Sequence, residues 1–226
     1  MKLKTIAKAM ALAGIALIAS GQTNRNWNTV VAEVNGAHRI GNPEAKVRLV
    51  EYVSYTCPHC SVFTREADDR IKLAYVQPGT LSLEVRHLIR DPVDLTAVLL
   101  ANCGPASKFP LNHTTLMIQQ SKWIAPLSSA TAAQRARWTS GDGPTRRRNI
   151  ANDFGLYQIM QGRGYNRPEL DRCLSDEATA QRFAEQSQKD WGLPGIGGTP
   201  AFAINGVIMP GTHTWAALEQ QLKDFL

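Results

Sequence analysis

The most reactive side chains in this sequence are Cys57 and Cys60, which flank Pro58 and His59. Two thiols at this spacing can close a disulfide with little movement. The thiolate is the form that attacks a disulfide or leaves from one. A Cys-x-x-C pair could also be half of a zinc site or an inert crosslink. What surrounds the pair favours redox chemistry. Val47, Leu49 and Val53 alternate with Arg48 and Ser54, a strand pattern that runs into Cys57. After Cys60 the period changes: Phe63, Ala67, Ile71 and Ala74 or Tyr75 share one helical stripe. Pro58 suits the first helical position, where its missing N–H costs nothing. Cys57 is therefore expected at a helix N-terminus, where orphan amides and the helix dipole favour an anion. His59 would add to this effect, and Cys60, one turn further in, would be the resolving thiol.

Other elements must hold this turn in place. Leu81, Leu83, Val85, His87 and Ile89 alternate with polar residues, so a second strand follows the helix and a parallel βαβ unit is expected. His87 on its apolar side reads as a core histidine. From Asp94 to about Lys189 the spacing predicts helices only, first through Leu95, Val98, Leu99 and Cys103 and then over 111–124, 131–139, 146–160 and 176–191, with Gly and Pro between them. Phe109, Trp123, Trp138 and Tyr157 read as the core of that segment, and Arg146-Arg147-Arg148 as a solvated face. The chain then returns to strand: Asn205-Gly206 between apolar runs is a hairpin signal. Thr214 can cap a last helix that carries Trp215, Leu218 and Leu222. Val31, Val34 and Ile40 around Asn35-Gly36 suggest a short strand or turn near the start.

The chain has 226 residues and a formal charge of +6. Lys2, Lys4 and Lys8 precede an uncharged apolar run, Ala9 to Ala19, and small residues follow. Residues 1–20 thus read as a secretory signal cleaved near Ser20 or Gly21, with an uncleaved amphipathic anchor as the alternative, and 21–29 as a poorly ordered mature N-terminus. Without the three lysines the charge falls to +3, from 22 basic and 19 acidic residues. That is weak support for a nucleic-acid partner, and beyond Arg146-Arg147-Arg148 no basic cluster and no interleaved aromatics support one. Export implies an oxidising compartment. There Cys103 and Cys173 are expected to pair, with two buried free thiols as the alternative.

With Cys57-Pro58-His59-Cys60 and Gly198-Thr199-Pro200-Ala201-Phe202 in view, the chain resembles the DsbA-like family of thioredoxin-fold disulfide oxidoreductases. The resemblance runs from about Val47 to the C-terminus. It implies an α/β thioredoxin fold over 30–91 and 190–226, with a helical domain, 92–189, inserted between its halves. It implies a cis bond at Thr199–Pro200 beside Cys57, where the Thr199 backbone would meet substrate. It implies a buried acid at Glu51, which would exchange protons with Cys60; a surface glutamate is the alternative. Cys103 and Cys173 resemble a non-catalytic pair found in some branches. The implied activity is periplasmic protein-disulfide oxidation without a cofactor or metal. Reduced or unfolded exported proteins would be the substrates, and a quinone-linked membrane oxidase of the DsbB kind would regenerate the disulfide. Family isomerases carry a dimerisation domain before the thioredoxin unit, and too few residues precede the first strand here, so a monomeric oxidase is expected. An isomerase or reductase of the same fold is the alternative. A metal-binding module using Cys57, Cys60 and His59, His87 or His213 is a more distant one.

Overall fold

The computed structural model describes residues 25–226, so the expected signal segment and the start of the 21–29 stretch lie outside the described residues. Strands β1 (Val31–Val34), β2 (Ala37–Gly41) and β3 (Val47–Val53) lead into helix α1 (Pro58–Ile71), a π-helical turn at Lys72–Val76 and strand β4 (Leu81–His87). Helices α2 (Pro92–Ala101), α3 (Phe109–Ile118), α4 (Gln120–Trp123), α5 (Pro126–Ser129), α6 (Ala132–Thr139), α7 (Gly143–Asp153), α8 (Leu156–Gly162), α9 (Arg167–Ser175) and α10 (Glu177–Trp191) follow. The chain closes with β5 (Ala201–Ile204), β6 (Val207–Ile208) and α11 (Trp215–Lys223).

The sheet order is β1-β2-β4-β3-β5-β6. β3 and β4 pair in parallel, as a strand–helix–strand crossover requires, and β5 runs antiparallel to β3. This is the thioredoxin fold, with a helical domain inserted between its two halves. β3 is central and buried except for Arg48, so both of its faces carry core residues. Val47, Leu49 and Val53 pack with Phe63, Ala67 and Ile71 of α1 in the main core. Val50 and Tyr52 pack on the opposite face with Ala201, Ala203 and Trp191. Period-2 alternation places Glu51 on the α1 side, beneath the Cys57–Cys60 turn.

Four local readings differ from the sequence pattern. Trp27–Thr29, expected to be loose, form a 3-10 turn, and Asn28 Nδ2 donates to the Lys72 carbonyl at 3.2 Å. The 111–124 helix is interrupted at Gln119, which leaves the separate turn α4. The 146–160 helix breaks at Gly155, whose φ of +65° no helix interior can hold. Arg147 is not on a solvated face: it is 6% exposed and donates to the Leu174 carbonyl and the Glu177 carboxylate. Each of these residues has a tertiary partner or a special backbone angle that local periodicity does not encode.

Asn35 and Gly36, both at positive φ, turn β1 into β2, and Asn205 and Gly206 turn β5 into β6. Cys103 and Cys173 form a disulfide with Cα atoms 5.7 Å apart, which ties the end of α2 to α9.

Candidate active site

Cys57 is the N-cap of α1, and Pro58 is the first helical residue. A short loop, Ser54 to Thr56, delivers it from the end of β3. Several side chains hold that loop from outside. Asp94 of α2 is fully buried and accepts from the Ser54 hydroxyl at 2.6 Å, the Tyr55 amide at 2.7 Å and the Arg90 amide at 3.1 Å. Asp91 accepts from the Thr56 hydroxyl at 2.8 Å. Gln120 of α4 donates from one amide nitrogen to the carbonyls of Tyr55, at 2.7 Å, and Cys57, at 2.8 Å. Asp94 and Gln120 belong to the inserted helices and Asp91 caps the first of them, so the insertion clamps the dithiol loop against the sheet.

Cys57 and Cys60 are both free thiols, buried to 3% and 0% exposure. The Cys57 sulfur is 3.1 Å from the Thr199 carbonyl, to which the thiol form donates. The Thr199–Pro200 bond is cis. On the far side of Pro200, His213 Nδ1–H donates to the Pro200 carbonyl at 2.7 Å.

The two thiols sit in opposed environments. Cys57 is drawn down to about 5, chiefly by the hydrogen bond from the Cys60 thiol, with burial opposing. The Thr199 side chain and the backbone amides of Cys60 and His59 add to the lowering. His59 contributes through its amide; its ring, in the first turn of α1, is exposed. Cys60 is pushed well above the ordinary thiol value by burial and by its neighbour Cys57. The nearby Glu51 carboxylate raises it further. Glu51 itself is 4% exposed and is pushed up to about 8 by burial, then by Asp68, with Lys72 opposing. Its Oε1 has no hydrogen-bond partner among the described residues. Burial also moves Asp94 up to about 7, against the hydrogen bonds it accepts.

Of the residues singled out from sequence, Cys57, Pro58, Cys60, Thr199 and Pro200 come together at one point, with Glu51 beneath them. Cys103 and Cys173 stay apart from them in the insertion. His87 is buried elsewhere: its Nε2 accepts from Asn102 at 3.0 Å. Among the described residues no group of three or more His, Cys, Asp or Glu could hold a metal. Asp94, Asp91 and Gln120 escape sequence reasoning as site residues. Asp91-Pro92 marks the end of the second strand in the sequence, a signal that says nothing of a site. Among the described residues no helix is long and apolar enough to cross a membrane.

The profile of the family described as Thioredoxin matches residues 33–224. The fold superposes on the protein-disulfide isomerase of Novosphingobium aromaticivorans with a TM-score of 0.81 and 47% identity, covering 85% of this chain and 98% of that one. Wolbachia pipientis alpha-DsbA1 matches with a TM-score of 0.67 and 19% identity, over 88% of this chain and 95% of that one. A Rickettsia bellii protein provisionally named a protein-disulfide oxidoreductase is 28% identical over 169 residues, 74% of this chain and 56% of its own length. The chain thus spans about half the length of the curated relatives it matches.

Proposed function

The chain belongs to the thioredoxin family, with the DsbA-like arrangement of an inserted helical domain, and from that premise we propose that it is an exported thiol:disulfide oxidoreductase that introduces disulfides into other proteins. The observation that carries this reading is the opposed pair: a Cys57 thiol drawn down to about 5 beside a Cys60 thiol pushed up. A thiolate that is stable when the pair is reduced makes the reduced enzyme the favoured form, and its disulfide an oxidant.

In the oxidised enzyme a substrate thiolate attacks Cys57 Sγ. The Cys57–Cys60 bond breaks, and Cys60 leaves as a thiolate that takes a proton. Glu51, protonated near neutrality by burial, is the proposed source of that proton. A second substrate thiolate then attacks the substrate sulfur of the mixed disulfide. The Cys57 thiolate leaves, at little cost because of its low pKa. Two substrate thiols have lost two electrons and the enzyme dithiol has gained them. Thr199, whose carbonyl lies beside Cys57, would pair with an extended substrate backbone. Reduced or unfolded exported proteins are the proposed substrates, the periplasm the proposed compartment, and a quinone-linked membrane oxidase of the DsbB kind the proposed source of fresh disulfide. A monomer without nucleic-acid partners completes the proposal.

A second reading has one specific observation in its favour: the relative at 47% identity is named a protein-disulfide isomerase. Redox titration of Cys57–Cys60 against glutathione, run beside oxidation of a reduced two-cysteine peptide, tests the oxidase reading. A pair that stays reduced across oxidising glutathione mixtures supports an oxidase. A pair that oxidises readily in them, in a protein that recovers a scrambled multi-disulfide substrate, overturns the oxidase reading for isomerase.

A further inference from the structure

A cavity of about 430 Å³ opens between the β4–α2 connection and helices α6 and α7, within the range of ligand-binding pockets. Arg90, Asp91 and Arg146 line it, and Leu95, Trp138 and Ile150 give it an apolar wall. It is separate from the Cys57–Cys60 pair but joined to it: Asp91 holds the Thr56 hydroxyl, one residue before Cys57.

The charges in this cavity do not cancel. Neither the Arg90 nor the Arg146 guanidinium makes a hydrogen bond or ion pair among the described residues. The acids nearby are committed elsewhere. Asp91 accepts from the amides of Val93, at 2.8 Å, and Asp94, at 2.9 Å, as well as from Thr56, so its single negative charge is held at the start of α2 and leaves the arginines of the wall in excess. Asp142 caps α7 by accepting from the Thr145 amide at 2.7 Å, and Arg148 and Arg146 share the remaining electrostatic attraction to it. The third arginine on the wall, Arg147, is held by Leu174 and Glu177. Arg90 and Arg146 therefore carry the uncommitted positive charge of a cavity whose wall also includes Asp91, Leu95, Trp138 and Thr139. The Trp138 ring is fixed there by its Nε1–H donating to Asp153 at 2.7 Å.

We propose that this cavity recognises an acidic residue next to an aromatic or aliphatic one, on the protein chain whose cysteine is exchanged at Cys57. The carboxylate would bridge Arg90 and Arg146, for which guanidinium groups are suited by their planar donor pairs. The apolar neighbour would lie on Leu95 and the accessible edge of Trp138. A bare inorganic anion would leave that wall uncovered, whereas a side chain attached to a substrate backbone would fill it. The site would add to Thr199 a second point of contact, supplied by the inserted helices. The proposal rests on Cys57 being the residue that exchanges with substrate.

The test uses short peptides carrying Glu-Phe or Gln-Phe, placed on either side of a reduced cysteine pair, and redox-inert versions with serine for cysteine. At low salt the Glu peptide is expected to be oxidised about ten times faster than the Gln peptide in one of the two placements, as a contact worth about one charge-assisted hydrogen bond would give. That ratio should fall to about one in the Arg90→Gln/Arg146→Gln protein. Because it is taken within one protein, a loss of folded enzyme does not mimic the result. In parallel, the Trp138 indole N–H resonance should move on titration with the inert Glu-Phe peptide, with a midpoint about tenfold lower than for the Gln-Phe one. Equal rates in both placements, a Glu preference that survives the double substitution, or a Trp138 resonance indifferent to the Glu peptide overturns the proposal. A saturating Trp138 shift in a protein that exchanges no disulfides keeps this site and sinks the oxidoreductase reading instead.

Discussion

Replacing Glu51 by Gln should change stability in a way that depends on pH, and the slope can be worked out from the structure. Burial holds the Glu51 carboxyl at about 8, against 4.5 for the free side chain. Between those values the folded protein keeps a proton that the unfolded chain has released. A group raised in this way contributes stability below the unfolded value and loses it as pH rises through the folded one. At pH 7 the wild type has lost about 3 kcal/mol relative to acid conditions, at roughly 1.4 kcal/mol per pH unit above 4.5. Glutamine never ionises, so the Glu51→Gln protein escapes this loss. It carries instead a fixed cost of about 1–3 kcal/mol for an amide beside a position that already lacks a partner. The fixed cost does not vary with pH, so the difference between variant and wild type is diagnostic. It should move in favour of the variant by about 1.4 kcal/mol per pH unit from pH 5 to 8 and flatten outside that window. Guanidinium unfolding of both proteins in the reduced state, at each half pH unit, measures it. A difference that stays constant across the window refutes the buried-carboxyl account, and an unchanged Cys60 titration in the same variant refutes its role as a proton donor.

The thiolate absorbance of the reduced protein should disappear with a midpoint near pH 5 and be absent in Cys57→Ser. Because this pKa is lowered, the stability it gives the reduced form is present above the ordinary thiol value and is lost as pH falls through 5, which paired unfolding curves of reduced and oxidised protein would show. His38, His87 and His113 are buried at about 4, 3 and 3, each lowered chiefly by burial. Unfolding therefore binds protons below pH 6.5, and His113→Gln should flatten the fall in stability between pH 6 and 4 by up to about 1.4 kcal/mol per pH unit in denaturation curves. The Cys103–Cys173 bridge spans a sequence separation of 70. Cys103→Ser/Cys173→Ser should cost about 4 kcal/mol by loop-closure arithmetic, read from urea midpoints.

The sequence alone determined the strand, turn and helix around the dithiol. Alternation before Cys57 and helical spacing after Pro58 are local signals that tertiary contacts do not override here. The same holds for the Asn205-Gly206 hairpin, where the backbone itself demands residues that tolerate positive φ; Asn35-Gly36 suggested only a short strand or turn. Glu51's face followed from period 2, but its depth did not: only packing between β3, β4, β5 and α1 removes it from water. The approach of Thr199 to Cys57 is a contact across a sequence separation of 142, and resemblance rather than spacing anticipated it. Asp94, Asp91 and Gln120 were silent because a carboxylate or amide in a helix has no periodic signature; they become site residues only when the inserted helices fold back on the loop. Arg147 was misread for the same reason, since a run of three arginines does not say which one the neighbouring helices bury. Local backbone and side-chain geometry is written in short windows of residues, whereas burial and ion pairing depend on which distant segments meet, and those two decide the charge state of every group around Cys57.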